Sequence, residues 1–61
     1  MPNLTTKELD FLTDLMKAEQ LAVKKLKHYA SQVSDPQLRT KFEQAAALHQ
    51  NHYNTLLNQL G

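Results

Sequence analysis

The chain has 61 residues and no cysteine, so we expect a single domain that neither disulfides nor thiolate metal sites stabilise. Seven basic and six acidic residues give a net charge of +1, which offers no electrostatic basis for binding nucleic acid or an anionic membrane. So short a chain can then be stabilised by further copies of itself or by a metal held through nitrogen and oxygen ligands.

The N-terminal segment MPNLTTKELDF lacks a basic stretch followed by an apolar run, so it does not have the pattern of a secretory signal. No part of the sequence reaches the roughly 18 continuous apolar residues of a membrane-spanning helix. We therefore expect a cytoplasmic protein without a membrane partner.

The first predicted helix begins with a capping box, since Thr5 and Glu8 have the spacing at which each side chain bonds the other residue's backbone. Apolar residues then recur at intervals of three and four, and lysines near the end complement the helix dipole. This pattern predicts a helix from about residue 6 to 32. Its apolar stripe contains Leu9, Leu12, Leu15, Met16, Ala22, Val23, Leu26, Tyr29, Ala30 and Val33.

The segment SQVSDPQL separates this helix from a second one. Ser34 or Asp35 suits the N-cap, and Pro36 suits the first helical position. The second helix is predicted from about residue 36 to 60, with an apolar stripe of Leu38, Phe42, Ala45, Leu56 and Leu60.

The short connection predicts that residues 1–61 form one all-α domain, an antiparallel two-helix hairpin. Its apolar stripes are broader than one helix pair can cover. We therefore expect a homodimer or higher homo-oligomer, with two hairpins paired in a four-helix bundle.

Three polar residues interrupt the stripes: Glu19 in the first helix, and His49 and His52 in the second. Glu19 and His49 are equally far from Ser34, so an antiparallel hairpin brings them and His52 to one level. Two imidazoles and a carboxylate are a suitable ligand set for iron, zinc or manganese. A metal-free Glu–His hydrogen-bond network suits the same residues equally well. No nucleophilic or other catalytic residue is predicted.

The segment EQLAVKKLKHYASQVSDPQLRTKFEQAAALHQNHYNTLL resembles one half of a ferritin-like bundle of the rubrerythrin type. The resemblance lies in Glu19 and the small and aromatic residues that follow it at helical spacing, in the Asp35-Pro36 turn, and in the closing pair His52-Tyr53. The chain is also similar to the small coat F-type spore coat proteins of endospore-forming bacteria.

The ferritin-like resemblance implies a ligand role for Glu19 and for His52. It places a second glutamate three residues before that histidine, where this chain has His49. A dimer would thus offer two carboxylates and four imidazoles instead of four carboxylates and two imidazoles. This ligand set favours one softer ion per site, or a metal-free core, over a di-iron enzyme.

The resemblance implies a structural or interaction protein related to the spore coat, with a Glu/His metal site and other coat proteins as partners. The alternative is a small metal-dependent redox enzyme of ferritin-like type, assembled by dimerisation.

Overall fold

The computed structural model describes residues 4–60, and residues 1–3 and 61 of the predicted domain lie outside the described residues. Helix α1 spans Thr6–Gln32, helix α2 spans Pro36–Asn58, and the two helices contact each other along their length. The molecule is a rod with principal extents of 46 × 15 × 10 Å. The structure thus confirms an all-helical hairpin, although α2 ends at Asn58 rather than at the predicted residue 60.

Helix α1 begins with the predicted capping box. The backbone N–H of Glu8 donates to Thr5 Oγ1, and the backbone N–H of Thr5 donates to Glu8 Oε1, both at 3.0 Å. These bonds hold the pKa of Glu8 below its usual value, with the bond from the Thr5 backbone as the main cause.

Two side chains at the start of α2 close the turn between the helices. Asp35 is the N-cap of α2, and its Oδ1 accepts the backbone N–H of Gln37 at 2.8 Å. Arg39 reaches back to the end of α1, where it donates to the carbonyls of Ala30 at 3.2 Å and Val33 at 2.8 Å. Arg39 therefore bonds carbonyl oxygens that the end of a helix leaves without partners.

The two helices meet along a line of residues that we call the seam. Successive seam residues are three and four positions apart in turn, which is the spacing of coiled-coil contacts. All of these residues are buried or half-buried. The seam consists of Leu12, Met16, Glu19, Val23, Leu26 and Ala30 in α1, of Phe42, Ala46, His49, Tyr53 and Leu56 in α2, and of Val33 and Leu60 just beyond the ends of these helices.

A second set of residues, which we call the apolar face, lies along one side of the seam, also at intervals of three and four. Within residues 4–60 it contains five of the eight large apolar side chains that are exposed: Phe11, Leu15, Tyr29, Leu38 and Leu48. Its other members are Glu8, Ala18, Ala22, Lys25, Lys41, Ala45, His52, Thr55 and Gln59.

The predicted stripes therefore divide between two surfaces. Leu15, Tyr29 and Leu38 lie on the exposed face rather than in the seam. Of the residues that the structure describes, the most buried is Ala46, at 3% exposure, which the predicted α2 stripe did not include. The stripes are too broad for one partner helix, so a single hairpin buries only the residues nearest the contact line.

The core of the hairpin is small. Only Leu12, Val23, Ala30 and Ala46 count as buried within residues 4–60, and two of these are alanines. So little buried apolar surface stabilises a 61-residue chain weakly. Within the same residues, neither helix contains a stretch apolar enough to cross a lipid bilayer.

Candidate metal centre

The candidate site lies halfway along the hairpin. Glu19 is the central residue of the 27-residue helix α1. His49 and His52 lie one helical turn apart on α2, so they present adjacent side chains. Because α2 runs back along α1 from the turn, the two histidines reach the level of Glu19, as the sequence predicts.

The Glu19 carboxylate contacts both imidazoles. Its Oε1 lies 2.5 Å from Nδ1 of His49, and its Oε2 lies 3.0 Å from Nδ1 of His52. The two rings are nearly perpendicular, at 84°, with their centroids 5.6 Å apart. One carboxylate therefore bridges two imidazoles from the opposite helix, with one oxygen atom for each.

For an ionised carboxylate and neutral imidazoles, these contacts assign the hydrogen-bonding roles. An ionised carboxylate only accepts hydrogen bonds, so a neutral imidazole that bonds to it must carry its proton on Nδ1. The Nε2 atoms of His49 and His52 then retain their lone pairs. The same contacts lower the pKa of Glu19 from its usual value, mainly through the hydrogen bond with His49. Partial burial opposes this shift, and the electrostatic influence of His52 supports it.

The three side chains become more exposed from the seam outwards. The side chain of Glu19 is 19% exposed, that of His49 35% and that of His52 49%. Glu19 and His49 belong to the seam, whereas His52 belongs to the apolar face. The site therefore lies at the border between these two surfaces, with Glu19 the least exposed of its three side chains.

The arrangement fits a single metal ion. Each of the three residues offers one ligand atom, and the distances between these three atoms are all within 4.8 Å. Bonds of about 2.0–2.1 Å to a tetrahedral ion would place ligand atoms about 3.3 Å apart. To bind an ion through Nδ1, both imidazoles would carry their protons on Nε2 instead, and side-chain rotations would bring the three ligand atoms around the ion with a fourth position left for another ligand.

The structure brings together every residue that the sequence predicts for the site. Among residues 4–60, Glu19, His49 and His52 are the one group of metal-ligand type so arranged. His28 lies elsewhere, exposed and next to Tyr29, with ring centroids 6.3 Å apart. The apolar face was not predicted from the sequence as a separate surface. The pattern that indicates it is a second set of apolar residues at helical spacing, which includes Phe11, Leu15 and Tyr29.

Comparisons with protein-family models, with curated proteins and with solved structures find no significant match to this chain. The resemblance to ferritin-like and spore coat proteins therefore depends on the residue pattern alone.

Proposed function

We propose that this protein is a self-associating helical hairpin that binds one divalent transition-metal ion per subunit through Glu19, His49 and His52. Its role is structural, as a building block that pairs into a four-helix bundle. The observation that carries this proposal is the position of His52, which contacts the Glu19 carboxylate and also lies in the middle of the exposed apolar face.

Self-association is supported by the energetics of the hairpin. Its four buried residues form a minimal core, whereas one side exposes Phe11, Leu15, Tyr29, Leu38 and Leu48. Full burial of each such side chain stabilises by roughly 1.5–3 kcal/mol. These side chains are between 40% and 66% exposed, so a second copy that covers this face would add about half of that figure for each.

Metal binding is supported by the donor set. Neutral imidazole and carboxylate are ligands of zinc, iron and manganese, and two histidines from one helix face can bind the same ion. A divalent ion held by one carboxylate and two neutral imidazoles retains one positive charge. This set provides little negative charge for a pair of oxidised irons, which favours the structural role over a di-iron redox enzyme.

The proposed biological setting follows from the resemblance to small spore coat proteins. An assembly protein with a long, exposed apolar face suits a coat, in which subunits pack against each other and against other coat proteins. A redox role would instead require a redox-active metal that turns over peroxide or oxygen, and an assay with the iron-loaded protein tests this alternative.

Metal binding is tested by titrating tag-free protein with Co²⁺ and recording the d–d absorption, alongside elemental analysis of the protein as purified. We expect one ion per chain, with tetrahedral absorption that Zn²⁺ displaces. Glu19→Gln and His49→Gln should each weaken binding at least about tenfold. His28→Gln is the matched control, because His28 is exposed and outside the cluster. Equal loss in all variants, or no binding, would refute the site.

Association is tested by sedimentation velocity over a range of protein concentrations. Leu15→Asp should dissociate the assembly, because it places a charge on the apolar face. Leu57→Asp is the matched control, since Leu57 is 46% exposed and Leu15 40%, but Leu57 lies on the other side of the seam. A wild-type protein that stays a folded monomer at micromolar concentration would refute self-association.

A further inference from the structure

The apolar face differs in charge between its two ends. At the open end of the hairpin its charged residue is Glu8, with Lys7 beside it on the same groove, and at the turn end its charged residues are Lys25 and Lys41. The flanking residues Asp10 and Asp14 add negative charge to the open half of α1. The face therefore has an acidic end, an uncharged middle that includes His52, and a basic end.

The two ends also differ in shape. The open end has a groove of about 490 Å³, lined by Phe11, Leu12 and Leu15 among others. At the turn end Tyr29 packs against Phe42 with ring centroids 5.7 Å apart, and Leu38 lies exposed. These exposed side chains at the turn end suit the apolar groove at the open end.

From these two differences we propose that two copies pair antiparallel across the apolar face, with the turn end of each on the open end of the other. This inference depends on the self-association proposed above and specifies its partner and orientation. In a parallel pair, Lys25 and Lys41 would face the same residues of the second copy, and like charges repel. In the antiparallel pair Lys25 lies at the level of the partner's segment 8–14, which carries Glu8, Asp10 and Asp14, and the exposed aromatic end of each copy lies against the groove of the other.

The spacing along α1 supports this orientation. At 1.5 Å per residue, Phe11 lies about 12 Å from Glu19 towards the open end, and Tyr29 lies about 15 Å from it towards the turn. A two-fold axis at the level of Glu19 therefore places Phe11 beside the partner's Tyr29. The same axis brings the two metal centres to the middle of the assembly.

Distances between spin labels test the orientation directly. The chain has no cysteine, so Ser34→Cys and Thr6→Cys each provide a single labelling site, at the turn end and the open end. In an antiparallel dimer, two Ser34 labels should be separated by about 45 Å along the axis. Mixed dimers that carry a Ser34 label on one copy and a Thr6 label on the other should show a distance within about 25 Å.

The possible outcomes separate the two proposals. A Ser34-to-Ser34 distance within about 20 Å, two helix spacings, would mean a parallel dimer and overturn the orientation while self-association stands. A protein that sedimentation shows to be monomeric would overturn self-association and this inference together. A long Ser34 distance combined with a short mixed distance supports the antiparallel dimer.

Charge reversal provides an independent test. Lys25→Glu with Lys41→Glu should raise the dimer dissociation constant by about five- to tenfold, with a smaller effect at high salt. Lys17→Glu with Lys24→Glu is the matched control, because it changes the charge equally on residues outside the face. In a parallel dimer the same variant would replace repulsion between lysines by repulsion between glutamates, so it would not weaken association in this way. Equal effects of the two double variants on the dissociation constant would therefore overturn the antiparallel orientation.

Discussion

Glu19 and His49 are thirty positions apart in the sequence, yet the carboxylate of one lies 2.5 Å from the imidazole of the other. Both residues belong to the seam between the helices, which is otherwise apolar apart from the Tyr53 hydroxyl. A polar pair in such a seam specifies how the two helices are aligned, because any slip leaves the polar groups without partners. The pair therefore defines the register of the hairpin as well as the candidate metal centre.

This relationship predicts how the metal-free protein responds to apolar substitutions. Glu19→Leu should destabilise the hairpin, because His49 and His52 lose their common acceptor. Glu19→Leu combined with His49→Leu and His52→Leu should recover the loss or exceed the wild-type stability, since an apolar seam replaces the polar cluster. Urea unfolding at fixed protein concentration, with chelator present, measures both effects. A triple variant less stable than the single one would contradict this reasoning.

The capping box predicts a pH dependence of stability. The Glu8 carboxylate has a lowered pKa in the folded chain, so its contribution is fully present above its usual value of 4.5. That contribution is lost as the pH falls through the lowered pKa. Glu8→Gln should therefore reduce stability at pH 7, and the difference from wild type should shrink in acid.

Thr5→Ala tests the other half of the capping box. It removes the hydroxyl that caps the Glu8 N–H, so it should cost about 1 kcal/mol of stability. It should also move the pKa of Glu8 upwards, because the Thr5 side chain contributes to lowering it. Carbon-detected NMR titration of the Glu8 carboxyl group measures this shift, and an unchanged pKa would mean that the backbone bond of Thr5 suffices alone.

Local signals were sufficient to predict the helices. Thr5 with Glu8, and Asp35 with Pro36, mark the two helix starts within a few residues, and the structure confirms both caps. The meeting of Glu19, His49 and His52 was also predictable, because a short turn fixes the relative level of residues on antiparallel helices.

Sequence reasoning failed where the outcome depends on side-chain size or on distant contacts. Apolar residues that recur every three or four positions do not show which of several adjacent stripes faces the partner helix. Leu38 was therefore predicted in the core and Ala46 was not. Ala30 was predicted in the stripe and is buried, whereas Ala46 is buried although its stripe was not predicted to face the partner helix. The bonds of Arg39 to α1 carbonyls had no local signal, since they join residues up to nine positions apart.

Arg39 is predicted to stabilise the turn. Arg39→Ala removes two charge-assisted donors from the carbonyls of Ala30 and Val33, and should cost about 1–2 kcal/mol. Arg39→Lys should recover only part of the loss, because a lysine cannot reproduce the forked geometry that bonds two carbonyls at once. Thermal unfolding at several protein concentrations measures these effects and distinguishes a weakened hairpin from weakened association, since only association makes the midpoint depend on concentration.

Metal binding should stabilise the folded protein in a way that depends on His52. An ion that binds only the folded state adds stability with the logarithm of its excess, about 2.7 kcal/mol at a hundred times its dissociation constant. Acid should cancel this gain, because protons compete with the ion for the imidazole nitrogens. His52→Gln should remove most of the stabilisation by Zn²⁺, whereas His28→Gln should preserve it. Thermal unfolding across a Zn²⁺ titration measures the slope for each protein. An equal slope in both variants would place the zinc outside the Glu19–His49–His52 cluster.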